Sequence, residues 1–71
     1  MNNMIWDIAR KYRAGWLQNH LGFMEIFYET PEDRTMAEQE FISKGFVVLP
    51  GTSAWCDPAF SKNVHRVFSS M

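Results

Sequence analysis

The first twenty residues have apolar positions at the period of an α-helix. The apolar side chains at positions i, i+3, i+4, i+7 and i+11 are Ile5, Ile8, Ala9, Tyr12 and Trp16. Residues at these spacings share one side of a helix with 3.6 residues per turn. Asn2 or Asn3 can cap the first turn, and Gly22 suits the left-handed turn that follows a helix. The pattern therefore predicts a first helix that ends near Asn19.

A second stripe of side chains lies outside the core-facing side of this predicted helix. At about 100° per residue, the side chains that fall together there are Trp6, Arg10, Arg13 and Leu17. Aromatic residues beside arginines are typical of the centre of protein interfaces. The structural alternative is that Trp6 and Leu17 cover the edge of a small core, with the arginine stems lying over them.

An alternating pattern follows in the segment FMEIFYE, which begins at Phe23. On one side, Met24, Ile26 and Tyr28 are wholly apolar or aromatic, whereas the other side carries two phenylalanines and two glutamates. Alternation with a period of two predicts a strand. We expect one face of this strand to meet a helix layer and the other to be partly solvated.

The clearest helix signal begins at Thr30. This residue can cap a helix, and Pro31 suits the first helical position. Glu32 and Asp33 place negative charge at the positive end of the helix dipole, and Gly45 is a typical helix stop. The predicted buried side chains of this helix are Met36, Ala37 and Phe41, with Ile42 as a further candidate.

Two short strands complete the prediction. The apolar run FVVLP, residues 46–50, is typical of a buried strand, and VHRVF, Val64–Phe68, follows a turn-rich loop. A strand, helix and strand in succession favour a parallel pair, and the last strand can lie between them, antiparallel to both. We therefore predict a single α+β domain of residues 1–71 in the order α-β-α-β-β. Its three-stranded sheet should have the spatial order 1-3-2, with both helices packed on one face.

The composition is that of a folded chain near the lower size limit. Of the 71 residues, 46% are hydrophobic and 15% are aromatic, which is far from the composition of disordered chains. Chains this short have a marginal core when no disulfide or metal supports it. We therefore also consider a homodimer.

The charges of the chain nearly cancel. Seven basic and eight acidic residues give a net charge of −1. This small charge provides no field that would draw the chain to a nucleic-acid backbone or an anionic membrane. Nucleic acid is therefore a less favoured partner than protein, and no membrane partner is expected.

Candidate catalytic groups are few. Cys56 is the single cysteine, so a nucleophilic pair would require Cys56 beside His20 or His65. Glu25 and Glu29 would lie about 13–14 Å apart on one side of a strand, which is too far for a paired acid and base. The sequence contains no glycine-rich phosphate loop and no regular Cys/His spacing. We therefore expect no enzyme activity, no cofactor and no metal site.

By exclusion, the sequence favours a small protein-binding module. The N-terminal segment has no apolar leader pattern, and the longest apolar run is far short of a membrane span, so we expect a cytoplasmic protein. We interpret it as an inhibitor or modulator that occupies an acidic or mixed surface of a larger protein. Phages and mobile elements direct proteins of this kind against host enzymes and defence systems.

The predicted partner-binding residues are Trp6, Arg10, Arg13, Leu17 and Trp55. One alternative is a nucleic-acid-associated accessory protein that uses the basic and aromatic side of the first helix. The other alternative is a small homo-oligomeric structural protein.

Overall fold

The computed structural model describes residues 3–50 and 62–68. Within these ranges the chain forms two helices and four strands, which are α1 (Asn3–Lys11), β1 (Ala14–His20), β2 (Phe23–Tyr28), α2 (Pro31–Ser43), β3 (Val47–Pro50) and β4 (Val64–Phe68). The strands form one antiparallel sheet in the order β1-β2-β4-β3. The predicted small α+β fold with two helices is confirmed.

The sheet has four strands, so the predicted count of three was wrong. The additional strand is β1, which pairs antiparallel with β2 at one edge of the sheet. The other three strands have the predicted relative order, because β4 lies between β2 and β3 and is antiparallel to both. The predicted burial of the third strand was wrong, because β3 is an edge strand in which Val47 and Leu49 are 46% and 48% exposed.

The first helix is shorter than predicted because the chain turns at Arg13. This residue has a left-handed φ of 63°, and its N–H donates a 3.1 Å hydrogen bond to the carbonyl of Arg10. Gly22, read as the stop of a long helix, instead has a φ of 93° in the turn that joins β1 to β2. The residues between these two turns therefore lie in a strand.

The core lies between the helices and one face of the sheet. The helices contribute buried apolar side chains to one cluster, and these are Ile5, Ile8, Ala9, Ala37 and Phe41. The sheet contributes Met24, Ile26, Tyr28 and Val67 to the same cluster. Of the predicted core side of α1, Tyr12 is partly buried against this cluster. Trp16 lies in β1 and belongs to the opposite face of the sheet.

The second helix begins as predicted. The hydroxyl of Thr30 accepts a 3.1 Å hydrogen bond from the N–H of Asp33, and Pro31 is the first helical residue. Ala37 is buried as expected, but Met36 and Ile42 are 50% and 55% exposed, so their predicted burial was wrong. Neither α1 nor α2 is long and apolar enough to cross a membrane.

Candidate functional site: the aromatic face of the sheet

One face of the sheet packs under α1 and α2, and no described helix covers the other. Successive side chains of a strand point to opposite faces, so the strand registers define which residues share the second face. Its three rows across the sheet are His20, Phe23, Phe68 and Val47; Gln18, Glu25, Arg66 and Leu49; and Trp16, Phe27 and Val64. We call these eleven residues the aromatic face.

The rings of the aromatic face form two stacks. Phe23 lies at the centre of the first stack, with the His20 ring at 4.6 Å and the Phe68 ring at 4.9 Å between centroids. In the second stack, the Trp16 and Phe27 rings are 5.7 Å apart and nearly parallel, at 6°. Contacts between rings hold the side chains in defined orientations and stabilise each pair by about 0.5–1.5 kcal/mol beyond area burial. The rings are therefore pre-organised across three strands.

A carboxylate lies in the middle row, between the two stacks. Glu25 is only 3% exposed. Its Oε2 is 3.8 Å from Nε of Arg66, and its Oε1 is 3.4 Å from Nε2 of His20. The guanidinium of Arg66 also lies 5.5 Å from the ring centroid of Phe23. The Arg66 guanidinium on the neighbouring strand therefore offsets part of the cost of burying this charge.

The aromatic face remains partly accessible. The rings of Trp16, Phe23, Phe27 and Phe68 are all half-buried. At the β3 edge, Val47 is 46% exposed and Leu49 is 48% exposed. Several partly exposed apolar side chains therefore share this face of the sheet.

The predicted stripe on the first helix does not form. Arg10 is in α1, Arg13 is in the turn after it, and Leu17 is in β1. Both Trp6 and Leu17 pack partly buried against the helix-side core, as in the structural alternative. Arg10 and Arg13 are exposed. Trp55 lies outside the described residues, and the role of all five residues in partner binding stays a prediction.

Polar contacts tie the end of α1 to α2. The Tyr12 hydroxyl donates a 2.7 Å hydrogen bond to Oε1 of Glu40, and Nζ of Lys11 donates a 3.0 Å hydrogen bond to the same oxygen. These two hydrogen bonds lower the pKa of the Glu40 carboxyl, and the bond to Glu40 raises the pKa of Lys11. Arg13 lies 3.5 Å from the Asp33 carboxylate. The basic residues near the end of α1 are thus partly engaged within the chain.

The two histidines considered for nucleophilic chemistry lie on opposite faces of the sheet. His65 is fully buried on the helix side, where its Nε2 and the Tyr28 hydroxyl share a 2.8 Å hydrogen bond. Burial lowers the pKa of His65 to about 3 and raises the pKa of Tyr28. His20 stacks on Phe23 on the aromatic face. Cys56 lies outside the described residues.

Sequence reasoning missed the aromatic face as a unit. It placed Phe23 and Phe27 on the second side of a strand, but it assigned Trp16 to a helix. A usable signal was present, because Leu21 and Gly22 separate two segments and can form the short turn of a β-hairpin. The chain matches no protein-family model, and neither a curated protein nor a solved structure matches it.

Proposed function

We propose that the chain is a non-enzymatic module that binds a larger protein through the aromatic face and inhibits or modulates that protein by occupying its surface. The observation that carries this proposal is the set of closely packed, partly exposed rings on both sides of Glu25, whose carboxylate lies near Arg66. Protein interfaces are enriched in aromatic residues and arginine, and their cores contain few uncompensated charges. Rings that are already ordered also lose little conformational entropy on binding.

A protein partner suits this face better than a nucleic acid. Flat rings on a sheet can stack on the bases of a single strand. Such binding also requires cations for the phosphates, whereas the Arg66 guanidinium lies beside the Glu25 carboxylate. The net charge of −1 provides no wider attraction. Binding of single-stranded nucleic acid is therefore the alternative that the experiment has to distinguish from protein binding.

A second contact would come from the exposed arginines near the end of α1. Arg10 and Arg13 suit an acidic or mixed region of the partner. Trp6 and Leu17 would stabilise the segment that carries these arginines, since both pack against the core.

We also propose that the protein acts in the cytoplasm. Its class would be that of phage or mobile-element products that act on host enzymes or defence systems.

Two matched double variants test the proposed face in a pull-down from a host-cell lysate. Val47→Thr with Leu49→Thr removes exposed apolar side chains from the aromatic face and retains strand-forming residues. The control, Met36→Gln with Ile42→Gln, removes side chains that are 50% and 55% exposed on α2. We expect the first variant to retain about tenfold less of a captured protein, and the second to capture it as the wild type does.

Equal capture by both double variants would remove the aromatic face from the interface. Loss of capture with Arg10→Glu and Arg13→Glu alone would move the site to the end of α1. Titration with a single-stranded oligonucleotide at about 50 and 200 mM salt tests for nucleic-acid binding, because phosphate-dependent binding weakens steeply over that range.

A further inference from the structure

The two edges of the sheet differ in length and chemistry. The edge strand β3 has four residues and ends at Pro50, which has no N–H to donate. The edge strand β1 has seven residues, Ala14–His20, and contains no lysine, arginine, aspartate, glutamate or proline. Proteins commonly protect an edge strand from pairing with charged residues, proline or a bulge. Of these devices, β1 has only the irregularity between Ala14 and Trp16.

The regular part of β1 therefore offers a pairing edge. From Trp16 to His20, every residue has a partner in β2 on the inner side. No described strand pairs with the outer side. Backbone N–H and C=O groups on that side can form hydrogen bonds with another extended strand.

We propose that β1 pairs antiparallel with β1 of a second copy of this chain, about a two-fold axis at Gln18. In this register, Trp16 lies opposite the partner's His20, and Leu17 lies opposite the partner's Asn19. Both Trp16 and His20 belong to the aromatic face, so the row of rings continues from one copy to the other. A register centred on Leu17 would instead place Trp16 opposite the partner's Gln18.

Charge and size set the expected strength of this dimer. No permanently charged side chain lies on β1, so pairing two copies brings no like charges face to face. The paired segment, Trp16–His20, is short, so we expect a smaller interface than the roughly 1,200–2,000 Å² of a standard protein–protein interface. We therefore expect a weak dimer with a dissociation constant in the micromolar range or above. Two copies would form one eight-stranded sheet with a doubled aromatic face.

Sedimentation at concentrations from about 1 µM to 1 mM tests the dimer. We expect the average mass to rise from monomer toward dimer. Gln18→Lys should weaken association by about tenfold or more, because it places two like charges opposite each other at the axis. The matched control, Gln39→Lys, adds the same charge to an exposed position of α2 and should leave association unchanged. A monomer at every concentration, or an equal effect of both substitutions, would overturn the proposal.

Cross-linking tests the register independently of these substitutions. In a Cys56→Ser background, which removes the single natural thiol, Gln18→Cys should form a disulfide-linked dimer on mild oxidation. Asn19→Cys is the control, since the partner's Asn19 lies opposite Leu17 in this register. Circular dichroism establishes that each variant is folded. A dimer by sedimentation that cross-links no better through residue 18 than through residue 19 would place the interface away from β1 or in another register.

Discussion

The two faces of the sheet are built from the same strands but have different chemistry. On the helix side, β2 and β4 present Ile26, Tyr28 and Val67, which are fully buried beneath α1 and α2. On the other side, the same strands present Phe23 and Phe68, which remain half-buried. The helix-side face forms the closed core of the fold. The aromatic face carries ordered rings that remain partly exposed.

The polar groups of the two faces also differ in their exposure to solvent. On the helix side, His65 and Tyr28 bond to each other and are shielded from solvent. On the aromatic face, Glu25 is a buried carboxylate whose neighbours His20 and Arg66 are partly exposed. The His65–Tyr28 pair therefore lies wholly in the interior. The group around Glu25 extends from a buried carboxylate to side chains that reach solvent. The helix-side face therefore stabilises the fold, and the aromatic face is the one through which we propose that the chain binds a partner.

The largest expected difference between the faces comes from removing one ring from each. Phe41→Ala opens a cavity in the helix-side core and should lower the free energy of unfolding by about 3–5 kcal/mol. Phe68→Ala removes a half-buried ring and should cost about 1 kcal/mol. Urea denaturation followed by circular dichroism measures both. If Phe41→Ala is unfolded in water, Phe41→Leu provides the smaller core deletion. Equal losses from the two faces would refute the distinction between them.

The second difference concerns acid. The folded-state pKa of His65, about 3, lies below its ordinary value of 6.5, because burial disfavours the charged ring. Between these values the unfolded chain binds a proton that the folded chain does not. This contribution to stability is therefore complete above pH 6.5 and is lost as the pH falls toward 3, by up to about 1.4 kcal/mol per pH unit.

His65→Gln should flatten this acid dependence because it removes the buried titrating ring. The matched control is His20→Gln on the aromatic face, which should retain the dependence. Urea denaturation between pH 3 and about pH 7 measures the slope for each protein. A slope unchanged by His65→Gln would assign the acid sensitivity to other groups.

The third difference concerns the charged groups at the centre of the aromatic face. Arg66→Ala removes the guanidinium beside the buried Glu25 carboxylate and should cost about 1–3 kcal/mol. In a Glu25→Gln background, the same substitution should cost less than about 1 kcal/mol, because no buried charge is left without a partner. A double-mutant cycle measures this coupling. Additive effects of the two substitutions would mean that Arg66 acts through contacts other than the one with Glu25.

Most of the helix-side architecture could be predicted from local sequence signals. Thr30 and Pro31 define the start of α2 because capping depends on a few neighbouring residues. Alternation in β2 identified Met24, Ile26 and Tyr28 as the side that meets the helices, and these residues are buried there. Chain topology also predicted that β4 lies between β2 and β3. The cap and the alternation each depend on a single segment of the sequence. The strand order follows from the general rules for connecting strands and helices.

The candidate site could not be assembled in the same way. Trp16 and Leu17 fit the spacing of a helix that continues from Ile5, and the local pattern alone favours that helix. In the folded chain, Trp16 stacks on Phe27 and Leu17 packs toward the helix-side core. A strand allows these two neighbours to point to opposite faces, and pairing with β2 supplies the partners.

The sequence by itself determined the capped second helix, the three strands from β2 onward and the apolar side of α1, because each depends on local spacing. Only the tertiary structure decided that residues 14–20 form β1, since this strand is stabilised by pairing with β2. Because residues 14–20 form a strand, Trp6, Arg10, Arg13 and Leu17 do not lie on one helix face. The same strand places Trp16 and His20 beside the rings of β2 and β4. The aromatic face is therefore a product of strand pairing, which local periodicity does not encode.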